Sequence, residues 1–482
     1  MTVSASRFDA IVLDLGGVLI KTPARISTNE AIPPHKRYTS TLPWMQYECG
    51  EIEETRCYEL VGKQFNFSPL ELSKAVGLAR TTIEYDQEIV SWIRALRKDH
   101  PSLKVFAMSN ISKPDFDALH TRWGATFWSL FDDIFTSSAA GMRKPNFGFY
   151  QHVLKSTGIE PQRIIFVDDK IQNFASAQSL GMHSILFEDT SVLARTVKNI
   201  LHDPIVRGKA YLQKNAKQLN SFTDSGVKFM ENYVQLLILE ATGDEELVIL
   251  DKPDCHQAEF WNFYCGTPPF GLESLPNDND TTALALQVVK YDDAIAHSLL
   301  DQMLEWMNVD DIMILYHDLN RPRVDAVASV NLCASFYLHQ RGPQVQEMFN
   351  WVRDILYHRA YSKGAYYYRC PDWFLFYVNR LLVVTNDSTL AETIGPLLKD
   401  RVQERIGLPG DSIALAMRLV VCNSMAVYNY QDFEALKDLQ MEDGGWEAGY
   451  LYSLPIEGKK MMNRGLGTAL AIQALSGRTS KP

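Results

Sequence analysis

The chain has few cysteines, and the seven it has (Cys49, Cys57, Cys255, Cys265, Cys333, Cys370, Cys422) never form a C-x-x-C pair. Such scatter points to neither a zinc cluster nor a disulfide framework, and it fits a reducing compartment. There is no basic excess either. Against 58 acidic residues stand 47 basic ones, a formal charge of −11, which argues against a non-specific binder of nucleic acid or membrane surface. No apolar run reaches the roughly 18 residues that span a bilayer; even "IALAMRLVVCNSMAV" contains Arg418. The opening "MTVSASRFDAIVLDLGG" is interrupted by Arg7, Asp9 and Asp14, unlike a secretory signal. A cytoplasmic protein without a membrane span is expected.

With 482 residues, the chain is too long for one ordinary core, and two domains are expected. Residues 1–200 alternate short β-rich runs, "AIVLDL" (10–15), "KVFAMSN" (104–110), "RIIFVDD" (163–169) and "SILF" (184–187), with helical stretches. Continuous apolar runs between helices predict a parallel sheet covered on both faces. The mostly helical pattern at about 21–95 looks like a cap inserted after the first strand. A polar stretch at 201–225 reads as a linker. Beyond it, 226–482 reads as serial helices with aromatic-rich faces and no fixed-period repeat. The fold class is therefore α/β followed by all-α.

In an open parallel sheet, ligands bind at the carboxyl ends of strands. Three of the runs end in chemistry: Asp14; Ser109 and Asn110; Asp168 and Asp169. Lys144 in "GMRKPNFGFY" adds a cation. Carboxylates able to hold Mg²⁺, a carboxylate nucleophile, a hydroxyl and a lysine are what phosphate transfer through an aspartyl phosphate needs. Asp pairs alone say little, since others stand at 132/133, 292/293 and 310/311.

These four motifs, in order over residues 8–190, resemble the haloacid dehalogenase superfamily and its small-capped phosphatases. The resemblance implies a Rossmann-like domain in which Asp14 is the nucleophile, Ser109, Asn110 and Lys144 bind phosphate, and Asp14, Gly16, Asp168 and Asp169 form the Mg²⁺ site. Family phosphatases usually carry a proton-donating Asp two residues after the nucleophile, where this chain has Gly16. Expelling a phosphate monoester from a diphosphate needs little proton help, whereas expelling an alkoxide needs much. The first dephosphorylation should therefore be easier than the second.

In the second half, "LPNDNDTTALAL" (275–286) sets Asp278 and Asp280 one residue apart before an apolar run. An EF-hand-type loop would need a third ligand and a Gly, both missing. A helix cap remains open. So does acid catalysis, since a rigid helix start is a good mount for an acid. "LQMEDGGWEAGYLY" (439–452) carries Gln440, two glycines and Trp446 in the spacing of the QW signature of terpene cyclases, and "NRGLGTALAIQAL" (463–475) is similar to their closing helix. With "DNDTT" behind a dehalogenase-like domain, the set resembles the drimane-type sesquiterpene synthases, the drimenol, drimanyl diphosphate and albicanol cyclases.

That resemblance implies an α/α-barrel and class II, protonation-initiated cyclisation of farnesyl diphosphate, with Asp280 as proton donor supported by Asp278 and Thr281. Protonating an alkene requires a carboxyl kept un-ionised by a dry site, and the resulting cation needs aromatic faces. Trp261, Tyr264, Tyr361, Trp373 and Trp446 are the candidate cavity rings, and Arg359, Lys363, Lys460 and Arg464 the candidate diphosphate cations. No Asp pair completes D-D-x-x-D/E; "DDKIQ" puts Gln172 at the acidic position, which argues against ionisation-first chemistry. Three rivals remain: a cyclase with a scaffold phosphatase domain, a small-molecule phosphatase with a helical partner-binding domain, and a non-catalytic prenyl-binding module.

Overall fold

A computed structural model describes residues 7–20, 35–253, 257–266, 268, 275–453 and 459–477. The chain divides into two compact units, Met1–Leu201 and His202–Pro482. Cys255 and the start of the expected cap, 21–34, lie outside the described residues.

In the first unit, β1 (Ala10–Leu13), β2 (Lys104–Ser109), β3 (Asp133–Thr136), β4 (Ile164–Asp168) and β5 (His183–Leu186) form a parallel sheet of order β3-β2-β1-β4-β5. Alternate side chains feed two cores, as the pleat dictates. Ile11, Leu13, Val105, Ala107, Ile165 and Val167 pack with Ile89, Ile93 and Phe127, while Val12, Phe106, Met108 and Phe166 pack with Phe149, Tyr150 and Val153. Two apolar faces explain why the strands read as unbroken apolar runs. The sequence reading missed β3, whose first residue, Asp133, is exposed.

Helices Leu42–Glu48, Glu54–Phe65 and Pro69–Thr82 carry their own small core of Trp44, Tyr47, Tyr58, Val61 and Leu72. The helix Gln87–Asp99, read as part of the cap, instead buries Ile89, Val90, Ile93 and Leu96 against the sheet. The cap core thus ends before residue 87.

Among the described residues of the second unit, six helices form a closed ring: Asn232–Thr242, Asn279–Val288, Ala326–Leu338, Asp372–Thr385, Ser412–Ser424 and Arg464–Ser476. Each packs on the next, and the last packs on the first. Helices Pro204–Lys214, Gln346–Tyr357, Ser388–Gln403 and Tyr430–Asp438 lie against this ring from outside. Sequence separates the two layers. The inner helix Ala326–Leu338 buries every residue from Val327 to Phe336, whereas the outer Gln346–Tyr357 buries Met348, Phe349, Val352, Ile355 and Leu356 on one stripe. The result is an α/α-barrel.

The stretch 201–225 is not a bare linker. Asp203 caps the helix Pro204–Lys214 by accepting from the N–H groups of Ile205 and Val206, and that helix packs on Arg464–Ser476. Strands β6 (Ser221–Thr223), β7 (Lys228–Phe229), β8 (Gly449–Ser453) and β9 (Lys460–Asn463) then pair antiparallel in the order β7-β6-β9-β8. Polar outward faces made the helix look like a tether, and the strands are too short for a readable alternation. No described helix is long and apolar enough to cross a membrane.

Candidate active sites

The first site forms where β1, β2 and β4 end. Asp14 follows β1 and is buried, as are Ser109, Lys144 and Asp168. The Lys144 ammonium lies 2.8 Å from Asp14 Oδ1 and 2.7 Å from Asp168 Oδ2, and donates to the Met108 carbonyl at 2.8 Å. Asp168 also accepts from Lys170 N–H and from Asn173 Nδ2. Burial raises the pKa of Asp14, with Lys144 pulling the other way. Asn110 spends both ends of its carboxamide on the Lys144 main chain, donating to the carbonyl and accepting from the N–H, each at 2.8 Å. It therefore holds the lysine loop in place.

Carboxylate oxygens of Asp14, Asp168 and Asp169 lie within 4.8 Å of one another. Three carboxylates form an all-oxygen donor set that suits a hard divalent cation. Gly17, unremarked in the sequence, lets Asp169 in: its φ is +90°, and a Cβ there would lie 2.4 Å from Asp169 Oδ2. A Cβ built on Gly16 meets nothing within 4 Å.

The second site is the opening of the inner helix Asn279–Val288. Asp278 is its N-cap, accepting from Thr281 N–H at 2.6 Å and from the Thr281 hydroxyl at 2.9 Å. Both carboxylates and Thr281 are buried. Asp280 Oδ1 accepts from Asn331 Nδ2 at 2.7 Å, while Oδ2 faces the Tyr368 hydroxyl at 3.4 Å. Burial pushes Asp280 up to about 7, the Asn331 hydrogen bond drawing it back, and pushes Asp278 up to about 8. Both carboxyls are thus raised in the direction that alkene protonation requires, Asp278 further than Asp280.

Behind Asp280 runs a buried chain of polar groups. Asn331 Oδ1 accepts from Gln287 Nε2 at 2.9 Å and from Arg380 Nη1 at 3.2 Å. Arg380 in turn grips Glu240 with two hydrogen bonds of 2.8 and 2.7 Å. With its oxygen engaged by a cation and an amide, Asn331 must turn its NH₂ toward Asp280. The oxygen left to carry the acid proton is Oδ2.

Tyr368, whose hydroxyl reaches that oxygen, belongs to a circuit of four rings: Tyr368 to Tyr452 (centroids 6.4 Å), Tyr452 to Phe263 (5.5 Å), Phe263 to Tyr233 (6.1 Å) and Tyr233 back to Tyr368 (6.5 Å). Trp373, expected here, lies 5.5 Å from Tyr368. Tyr264 stands against Phe263, at 5.0 Å. The other expected rings are not members of this circuit. Tyr361 stacks on Phe374. Trp261 supports the acid motif through its backbone, its N–H donating to Thr282 Oγ1 and its carbonyl accepting from Asp278. Trp446 buries its indole with Nε1 on the Leu436 carbonyl.

The QW segment is a clasp. Gln440 Nε2 donates to the carbonyls of Pro204 and Gly444. A Cβ on Gly444 would meet the Arg207 carbonyl, one on Gly445 the Tyr211 ring, and one on Gly208 the Trp446 ring, all within 3.0 Å. Of the expected diphosphate cations, Arg359 pairs with Glu404, and Arg464 pairs with Asp443 and donates to the Trp446 carbonyl. Lys363 and Lys460 are exposed, the latter with its ammonium 5.8 Å from the Tyr450 ring. Asn331, Arg380, Tyr233 and Tyr368 went unread in the sequence because they converge only through the ring of helices.

Both units are similar to known proteins. Residues 205–339 match the sesquiterpene cyclase astC-like C-terminal domain, and residues 78–187 match a haloacid dehalogenase-like hydrolase. Drimenol cyclase drtB of Aspergillus calidoustus is 36% identical over 98% of this chain and 88% of its own. Sesquiterpene phosphatase astK of Aspergillus oryzae is 31% identical over 40% of this chain and 97% of its own. A solved dehalogenase-family enzyme of Bacteroides thetaiotaomicron, in complex with magnesium and inorganic phosphate, is 21% identical over 39% of this chain and 98% of that one, with a TM-score of 0.31. With a parallel-sheet phosphatase fold ahead of a helical barrel built on a buried D-x-D-T-T, the chain belongs to the drimenol cyclase family of sesquiterpene cyclases.

Proposed function

We propose that the helical unit cyclises farnesyl diphosphate to a bicyclic drimane-type diphosphate and that the first unit then dephosphorylates it to the alcohol, in the cytoplasm. The observation that carries the reading is Asp280: buried, pushed up to about 7, and with one oxygen held by Asn331. Its Oδ2 proton passes to the distal alkene carbon, the π electrons form the new C–H bond, and ring closure moves the positive charge inward. The carboxylate left on Asp280 is stabilised by Asn331, with the Arg380 cation behind it. Ring faces of Tyr368, Tyr233, Phe263 and Tyr452 supply cation–π stabilisation without a nucleophile. The Tyr233 hydroxyl is hydrogen-bonded to that of Tyr377, so it is occupied.

In the first unit, Asp14 attacks the terminal phosphorus and Lys144 offsets charge on the phosphoryl oxygens. Asp14, Asp168 and Asp169 would hold Mg²⁺, which offsets negative charge as the phosphoryl group transfers. Loss of the first phosphate leaves a monoester anion and tolerates Gly16; loss of the second is slower.

The test is product analysis by gas chromatography after incubation with farnesyl diphosphate and Mg²⁺. Wild type should give a bicyclic alcohol. Asp14→Asn should stop at the bicyclic diphosphate, and Asp280→Asn should form no bicycle. A bicycle from Asp280→Asn would overturn the assignment of the acid.

A further inference from the structure

The described part of the helical unit buries several carboxyl groups, and nearly all have evident structural duties. Asp278 spends its oxygens on Thr281. Asp325 accepts from the N–H groups of Val327, Ala328 and Tyr367. Asp372 is gripped by Arg405 and Arg418, and Asp432 by Arg418 and Asn429. Glu231 differs. It is 0% exposed, its Oε1 accepts from the Ser221 and Tyr452 hydroxyls, and its Oε2 has no hydrogen-bond partner. A carboxyl kept only to tie strand β6 to the barrel would gain nothing from a second oxygen left unsatisfied in a dry interior.

Its position suggests the use. The Tyr452 hydroxyl reaches Glu231 Oε1 at 3.4 Å, and the Tyr368 hydroxyl reaches Asp280 Oδ2 at 3.4 Å. Tyr452 and Tyr368 are neighbours in the ring circuit. Two buried carboxyls therefore border one set of aromatic faces: Asp280, whose Oδ2 accepts from Tyr368, and Glu231, whose Oε2 has no hydrogen-bond partner. Burial raises Glu231 up to about 8, so its proton-taking form is the ionised one, which grows as pH rises. Asp280 can give a proton and Glu231, when ionised, can take one. Protonation-initiated cyclisation needs both. The cation formed after the second ring closes must lose a proton from an adjacent carbon, and unless a base is at hand water can capture it instead.

Resting on the cyclisation proposed above, we infer that Glu231 is the terminating base. The C–H bond next to the cationic carbon breaks, its electron pair becomes the carbon–carbon double bond, and the proton goes to Oε2 of Glu231. Asp280 has lost one proton and Glu231 has gained one, so the substrate is isomerised without net change. Exchange with solvent after product release restores both groups. Glu231 thereby sets which alkene is formed.

The test compares products from wild type, Glu231→Gln, Glu231→Asp and Asp280→Asn, with each variant's fold checked by circular dichroism. Glu231→Gln should still consume farnesyl diphosphate, but the wild-type alkene should fall at least about tenfold as a share of bicyclic products. Double-bond isomers or a tertiary alcohol from water capture should replace it. An unchanged product profile would overturn the inference, as would a folded Glu231→Gln that consumes no substrate, which would make Glu231 part of initiation. Should Glu231→Gln fail to fold, Glu231→Asp decides: its shorter reach must shift the isomer ratio, and an unshifted ratio overturns the inference. Bicycle formation by Asp280→Asn would instead bring down the cyclisation reading itself.

Discussion

Replacing Asn331 with Leu removes one hydrogen bond to the acid while nearly keeping the side chain's volume. Asn331 Nδ2 donates at 2.7 Å to Asp280 Oδ1 and at 2.9 Å to the Asp280 carbonyl. A hydrogen bond to a charged group contributes about 1.5–3 kcal/mol, which corresponds to roughly 1–2 pKa units. It favours the carboxylate, so its loss moves Asp280 upward from about 7. Cyclisation needs the protonated acid and declines as pH rises through that pKa. The declining limb should therefore shift upward by about 1–2 units in the variant. At pH 6 the acid is protonated in both proteins but weaker in the variant. If the transition state feels between half and all of the change, the rate there falls roughly 3- to 100-fold. The deficit should then narrow toward alkaline pH, a pattern that general damage to the site does not produce. Single-turnover cyclisation measured from pH 5.5 to 9 reads both effects. A limb that stays in place or moves down refutes the reasoning. It would also point to Asp278, whose carboxyl Asn331 does not touch.

Gly17→Ala should cut phosphate release more than about tenfold while leaving bicycle formation intact, because the new methyl meets Asp169 and φ is +90°; phosphate release read beside product analysis checks this. Chelation by EDTA should abolish phosphate release from the bicyclic diphosphate, and added Mg²⁺ should restore it; release that persists in chelator would count against a metal held by Asp14, Asp168 and Asp169. Trp446→Ala should cost about 3–5 kcal/mol, lowering the melting temperature by roughly 10 °C, with an unchanged product profile among molecules that remain folded. A changed profile would give Trp446 a part in shaping the product.

Chemistry carried by neighbours in sequence was the legible part. Asp14, Ser109 and Asp168 sit at strand ends, and a strand that feeds two cores announces itself as an apolar run. Asp278 and Asp280 are legible because a helix start gathers its own cap. Contacts between residues far apart were not. Asn331 is one polar residue in an inner helix buried on every side, and its meaning depends on Asp280, 51 positions away. Arg380 reads as one more charge until Glu240, from another helix, is placed beside it. Aromatic content misled in the other direction. Trp446 and Tyr361 carry the same ring chemistry as Tyr368, and only packing separates a wall from a wedge. Arg359 and Arg464 read as unpaired cations until Glu404 and Asp443 are placed beside them.

The clasp between Gln440 and Pro204 bears on how the cyclase half can be separated from the rest. A fragment begun near residue 226, where the text of the chain changes character, would discard the partner on which Gly444, Gly445 and Trp446 lie and leave the final turn of the ring bare. A cut ahead of Asp203 keeps that seam sewn, so the choice between these two starting points should decide between a soluble, active half and an aggregate.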